Sequence, residues 1–209
     1  MGIKGRSLSL LVSAIIIAVP VSGWWLISRP LPDIGTPPID EARDRSSTEE
    51  SMWDEDLLRT LGEPRIDSLS PEADEVYRLI LLPTFHMPIV VRVEKTGQRT
   101  LLTVKLLDGV GGYGLDKMGK IALEETRGLS HEEYERFCEL LDDAEFWGLP
   151  VRDPGDLLVM DGATWIIDAR HQATIHSIGR IFPESKVLEL CRFFLQLAGR
   201  EDYYAGYWS

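Results

Sequence analysis

Histidines and the acidic residues near them are the side chains of this chain with the clearest catalytic potential. His176 and Asp168 fall in neighbouring stretches whose polar and apolar residues alternate, which predicts a hairpin around His171-Gln172. A three-residue turn would place His176 opposite Asp168, whose carboxylate would orient the imidazole as a general base. A two-residue turn would instead pair His176 with Ile167. The same residue types also make cross-strand ion pairs that only stabilise a sheet.

A small extracytoplasmic hydrolase that uses His176 with Asp168 or Asp161, with His86 nearby, is the enzymatic hypothesis. The sequence has no Gly-x-Ser-x-Gly elbow, and its histidines lack the spacings of a metal site. The glycine-rich loop 108–120 lacks the Ser or Thr of a phosphate loop and holds one copy of a calcium-binding repeat that acts only in stacks. We expect this loop to be a mobile connection. The sequence favours a protein without catalytic activity, metal or cofactor.

The two cysteines, Cys138 and Cys191, each fall on the apolar stripe of a predicted helix. Such positions suit a small buried hydrophobic side chain better than a reactive thiolate. If the two helices lie side by side on one sheet face, the thiols are predicted to face one another, and an oxidising compartment would allow a disulfide between them.

These residues are positioned by helices and strands, which are predicted from changes in the spacing of apolar residues along the chain. Two amphipathic helices are predicted, one after the capping box of Ser130 and Glu133 and one opening at Pro183 and Ser185. Strands first, then a helix, a hairpin and a helix predict an α+β domain. Its sheet is expected to be mainly antiparallel, with about six strands and both helices on one face. The predicted strands are 76–82, 87–94, 101–106, 120–125, 163–168 and 174–179.

The first 29 residues have the pattern of a membrane anchor. Lys4 and Arg6 precede an uncharged run of 21 residues, Ser7 to Ile27, which as a helix would cross a bilayer. The positive-inside rule then leaves the N-terminus in the cytoplasm and the rest in the periplasm or outside the cell. The alternative is a signal peptide cleaved near Gly23, which would release the protein.

The remainder divides into a linker, a domain and a tail. Residues 30–66 are rich in proline and charge, which predicts a disordered tether with a possible short helix at 52–61. Residues 67–200 form the α+β domain. The aromatic tail, 201–209, is expected either to dock on the domain or to stay exposed as a partner contact.

Charge narrows the choice of partners. The anchor holds three of the 22 Lys+Arg and none of the 34 Asp+Glu, so the exported part has a formal charge of −15. Such a surface repels phosphate backbones, which excludes nucleic acid as the expected partner.

The second predicted hairpin resembles a segment of a known group of proteins. Asp161-Gly162-Ala163-Thr164-Trp165 is followed by His176, Arg180 and Pro183. This order is similar to that of uncharacterised exported bacterial proteins, in which a D-G-x-x-W strand precedes an H-x-x-x-R-x-x-P strand. The chain departs from that pattern at Ile175 and at Asp168-Ala169. The resemblance implies an exported α+β domain and no particular activity.

Together these patterns favour a membrane-tethered, extracytoplasmic domain that binds another protein. An inhibitor, an immunity-type protein or an assembly partner would suit the tether and the acidic surface.

Overall fold

A computed structural model of the chain describes residues 55–152 and 162–207. The predicted anchor at 1–29, the first part of the predicted linker and Asp161 lie outside these residues. Within them, no helix is both long enough and apolar enough to span a bilayer. The membrane anchor therefore stays a prediction.

Six strands form one antiparallel sheet within the described residues, in the order β4-β3-β2-β1-β5-β6. The first four make a meander, and β5 returns beside β1 to place β1 and β2 in the centre. This arrangement confirms the predicted α+β class with an antiparallel sheet. The strands are β1 (Glu75–Pro83), β2 (Ile89–Thr96), β3 (Arg99–Leu107), β4 (Ile121–Gly128), β5 (Ala163–His171) and β6 (Thr174–Arg180).

One face of the sheet carries the main core and two helices. Helix α2 (His131–Asp143) begins at the predicted capping box, and α3 (Ser185–Leu197) follows β6. The ring of Phe137 in α2 lies 4.9 Å from that of Phe194 in α3 and 5.1 Å from that of Tyr77 in β1. Their edge-to-face packing joins both helices to the sheet. Tyr77 reaches the helices because alternate residues of a strand point to the same side of the sheet.

The other face is covered by the chain that precedes β1. Helix α1 (Glu55–Thr60) places Leu57 and Leu58 against strand residues, and Leu69 packs further along the same face. The predicted short helix is thus present within 52–61, but residues 55–66 belong to the domain rather than to a free linker. The apolar stripe of α1 is too short to reveal this burial by composition. We call residues 55–74 the strap.

The loop 108–120 is tied together by backbone hydrogen bonds, whereas its glycines favour a loosely held connection. The N–H of Gly109 donates to the carbonyl of Met118 at 3.0 Å, and Asp108 exchanges further hydrogen bonds with Lys120. Met118 is buried against the strap. A Cβ at Gly109 would lie only 2.0 Å from a carbonyl oxygen across the loop, so glycine allows this close approach.

Candidate functional site

The structure separates His176 from Asp168, so neither of the two registers considered from the sequence occurs. The β5–β6 turn is centred on Gln172-Ala173, one residue later than predicted, and Gln172 takes a left-handed conformation with φ of 55°. His176 therefore lies opposite Ala169, and Asp168 lies opposite Ser177. Since neighbouring residues of a strand point to opposite faces, His176 belongs to the helix side and Asp168 to the strap side.

Asp168 is held in a buried ion pair with Arg78. Its Oδ2 accepts hydrogen bonds from Nη2 of Arg78 at 2.6 Å and from Nε at 3.1 Å, and both side chains are buried. A charge-assisted pair of this kind gives Asp168 a structural role in the sheet.

His176 packs among aromatic residues on the surface of the helix side. Its ring centroid lies 5.1 Å from that of Phe146 and 6.3 Å from that of Trp147. Burial lowers the pKa of His176, although hydrogen bonding to the main chain at Leu149 partly offsets the effect. The neutral imidazole is therefore a packing element here. His86 lies at the opposite end of the sheet, in the β1–β2 connection, so the two histidines do not share a site.

A buried ionic cluster under the strap was not found from the sequence. The side chain of Glu63, with no exposed surface, meets three cations. They are Arg78 at 3.1 Å, Arg92 at 2.6 Å and Lys105 at 2.8 Å. Burial raises the pKa of Glu63, but Arg92, Lys105 and Arg78 outweigh it and hold that pKa below its usual value. The cluster fixes the strap on the sheet. The sequence held one clue to it, because the charged residue Arg78 interrupts the apolar run of β1.

A second polar group closes the end of the sheet where β1 begins. The carboxylate of Glu75 accepts hydrogen bonds from Tyr77 at 2.7 Å and Tyr134 at 2.6 Å, and the ammonium of Lys95 lies 4.5 Å from the centre of the Tyr134 ring. Burial raises the pKa of both tyrosines, whereas their hydrogen bonds lower that of Glu75. Near neutral pH the two hydroxyls therefore keep their protons and the carboxylate stays ionised, which suits structure rather than acid–base catalysis.

The two cysteines are free thiols, so the predicted disulfide is not formed in the structure. The helices do share a face, but the thiols diverge. Cys138 lies near Glu75 at the end where β1 begins, whereas Cys191 is fully buried near Arg180, where β6 ends at the opposite end of the sheet. Burial raises the pKa of both thiols, which makes them poor nucleophiles.

Three exposed aromatic residues lie at the other end of the sheet, where β1 ends. Phe85, Tyr113 and Tyr203 have relative exposures of 57%, 56% and 45%. They come from the β1–β2 connection, the β3–β4 loop and the C-terminal tail. The rings of Phe85 and Tyr113 lie 6.0 Å apart, and that of Tyr203 lies 5.3 Å from His86. We call this surface the aromatic end.

The described part of the tail is docked, yet it leaves one ring exposed. Residues Asp202–Tyr207 form a 3₁₀ helix. The hydroxyl of Tyr204, which is fully buried, donates to the carbonyl of Met87 at 2.8 Å, and the hydroxyl of Tyr207 lies 2.8 Å from Nδ1 of His86. The tail therefore docks on the domain and also keeps one aromatic ring, that of Tyr203, exposed. The sequence had presented docking and exposure as alternatives.

Comparison with known proteins adds no assignment. No model of a known protein family matches the chain, and no curated protein matches it. Among the described residues, no group of three or more His, Cys, Asp or Glu side chains could hold a metal ion. The resemblance to exported bacterial proteins therefore stays a prediction.

Proposed function

We propose that this protein is a membrane-tethered, extracytoplasmic module that binds another protein through its aromatic end, as an inhibitor, an immunity-type protein or an assembly partner. The observation that carries the proposal is the exposure of Phe85, Tyr113 and Tyr203 at one end of the sheet, from two connections and the tail. Aromatic residues are enriched at protein interfaces because they bury much apolar area while losing little conformational entropy.

The aromatic end is held in place before any partner arrives. Tyr204 and Tyr207 fix the tail through hydrogen bonds to the β1–β2 connection, and the packed loop 108–120 supports Tyr113. The conformational entropy that these residues lose on binding is therefore small, which favours tight binding through a surface of modest area.

Charge supports a protein partner over the alternatives. The exported part has a formal charge of −15, so a basic protein surface would be attracted while nucleic acid and anionic lipid would be repelled. The anchor and the resemblance to exported proteins support an extracytoplasmic location. The hydrolase is not proposed further, because His176, Asp168 and His86 occupy different faces and ends of the sheet, and the alternative partner Asp161 lies outside the described residues.

The proposal is tested by site-specific photocrosslinking of the full chain in native membranes. A photoreactive phenylalanine analogue at Tyr113 should capture a discrete partner, whereas the same group at Ile175, which is 47% exposed on β6, should not. Capture from Tyr113 should fall about ten-fold when Phe85 and Tyr203 are both changed to Ala. Equal capture from both positions, or capture that ignores the double change, would reject the aromatic end as the interface.

A further inference from the structure

The two edges of the sheet differ in the backbone segments that pair with them. On the β6 edge, the N–H of Gly179 donates to the carbonyl of Val151 at 2.8 Å, and Arg152 bridges to the same residue. On the other edge, β3 is the one strand that pairs with β4 within the described residues. Every residue of β4 except Leu123 is exposed. An eight-residue strand is therefore left with one open side.

The register identifies the backbone groups on that open side. The N–H of Leu129 donates to the carbonyl of Thr100 at 3.0 Å, which fixes the hydrogen-bonded pairs at alternate positions toward β3. The intervening residues Glu124, Thr126 and Gly128 consequently direct their N–H and C=O groups outward. A bulge beside Ala122, where the pairing shifts between Leu106 and Leu107, confines the regular edge to the last six residues of β4.

One acidic side chain without an ion pair to the described residues lies beside this edge, next to a groove. Glu125 makes no ion pair with the described residues, while the charge of Arg127 is compensated by Glu133 at 2.8 Å. Next to β4, a groove of about 280 Å³ runs between β3 and the end of α3. It meets, at Gly199, a second groove of about 600 Å³ that reaches Met87 and Tyr203. Gly199 thus lines both grooves, and Tyr203 of the aromatic end lines the second.

We propose that β4 accepts an extended segment of the partner protein as a seventh strand of the sheet. Main-chain hydrogen bonds to Glu124, Thr126 and Gly128 would hold the segment, as in other cases of strand addition. Charge complementarity calls for Lys or Arg opposite Glu125, on the side of the sheet that carries the groove, and the alternate side chains of the segment then point to the strap side. The inference rests on the proposed function in taking the partner to be a protein, and it adds the partner's conformation and chemistry.

A second copy of this chain is the competing occupant. Self-association would bring together two exported parts that each carry a formal charge of −15, which opposes pairing at low ionic strength. A basic segment from a different protein gains from the same charge.

The test uses the full chain in detergent and a defined peptide probe. A labelled peptide that alternates Lys and Val should bind about ten-fold more tightly, by fluorescence anisotropy, than its counterpart that alternates Glu and Val. Hydrogen exchange should show protection of the amides of Glu124, Thr126 and Gly128 by the first peptide.

Two substitutions at one position isolate the backbone contribution. Thr126→Pro removes an outward N–H without breaking the ladder to β3, and it should weaken the Lys–Val peptide about ten-fold. Thr126→Val keeps that N–H and loses the same hydroxyl contact with Thr103, so its affinity should match the wild type. If the proline variant does not fold by circular dichroism, Glu125→Lys replaces it and should reverse the preference between the two peptides.

Equal binding of the two peptides, or absent protection at the three amides, would overturn the proposal. Protection of these amides in the free protein together with a dimer in sedimentation would assign the edge to a second copy. Native capture from Tyr113 that persists in the proline variant, despite its loss of peptide binding, would overturn the role of β4 and leave the aromatic end intact. Loss of native capture when only Phe85 and Tyr203 are changed to Ala is the result that the proposed function itself predicts.

Discussion

Replacement of Glu63 by Gln should be among the most destabilising conservative changes in the chain. The substitution keeps the shape of the side chain but removes the negative charge beneath Arg78, Arg92 and Lys105. Removal of one partner from a buried ion pair usually costs about 3–5 kcal/mol. Arg78 keeps Asp168 and Arg92 keeps Glu94, so we expect the low end of that range, about 3 kcal/mol.

Urea unfolding followed by tryptophan fluorescence measures this change. Glu72→Gln is the matched control, because Glu72 is an exposed acid on the same strap, and it should change the free energy of unfolding by less than about 0.5 kcal/mol. Adding Arg92→Gln to Glu63→Gln removes the excess cation, so the second change should cost less than it does in the wild type. If Glu63→Gln unfolds within about 0.5 kcal/mol of the wild type, the cluster does not hold the strap.

The same cluster predicts the effect of acid. The pKa of Glu63 is lower in the folded protein than the ordinary value of 4.5, so the unfolded chain binds a proton more readily. The stabilisation is complete above that ordinary value and is lost as the pH falls through the folded pKa. Glu63→Gln should remove this part of the acid sensitivity.

Four further outcomes are expected. Tyr204→Phe leaves the carbonyl of Met87 without its donor and should lower the free energy of unfolding by about 1–2 kcal/mol in urea titrations; no change would show that the tail is held by apolar contacts alone. The pKa of His176 is depressed below 6.5 by burial, so stability should fall as the pH drops from about 6.5 through the folded pKa. His176→Gln should flatten that dependence, cost no more than about 1–2 kcal/mol and leave partner capture intact, whereas lost capture at unchanged stability would return His176 to a functional role. Alkylation of denatured, unreduced protein should label both Cys138 and Cys191, and no labelling would mean that oxidation joins them. The mature protein should keep its first residues and resist carbonate extraction, while an N-terminus at Trp24 would identify a cleaved signal peptide.

Local pattern was sufficient for the sheet and its two large helices. Alternation in β2 and β3 and the capping box at Ser130 are encoded within a few residues, so they could be predicted. The β5–β6 register could not, because it depends on which residue adopts the left-handed conformation, here Gln172. A shift of one residue moved Asp168 from the face of His176 to the opposite face.

The candidate site depended on contacts that sequence spacing does not reveal. Phe85, Tyr113 and Tyr203 are far apart in the chain and come near one another because two connections and the tail lie at the same end of the sheet. The tail offered a signal, since its run of tyrosines is aromatic, but only the fold shows that Tyr204 is buried. Glu63 was assigned to a linker because burial of a carboxylate requires cations from three separate strands.

The strap also determines how the domain would carry mechanical load. Residues 55–74 form the covalent path from the N-terminal side to β1, and they reach β1 only after crossing the sheet face. A pull from the N-terminal side would therefore first peel α1 and then the ion pairs of Glu63. The backbone ladder between β1 and its neighbours would bear the force only after those contacts had opened. The ion pairs of Glu63 would therefore break at an earlier stage of stretching than the hydrogen bonds of the sheet.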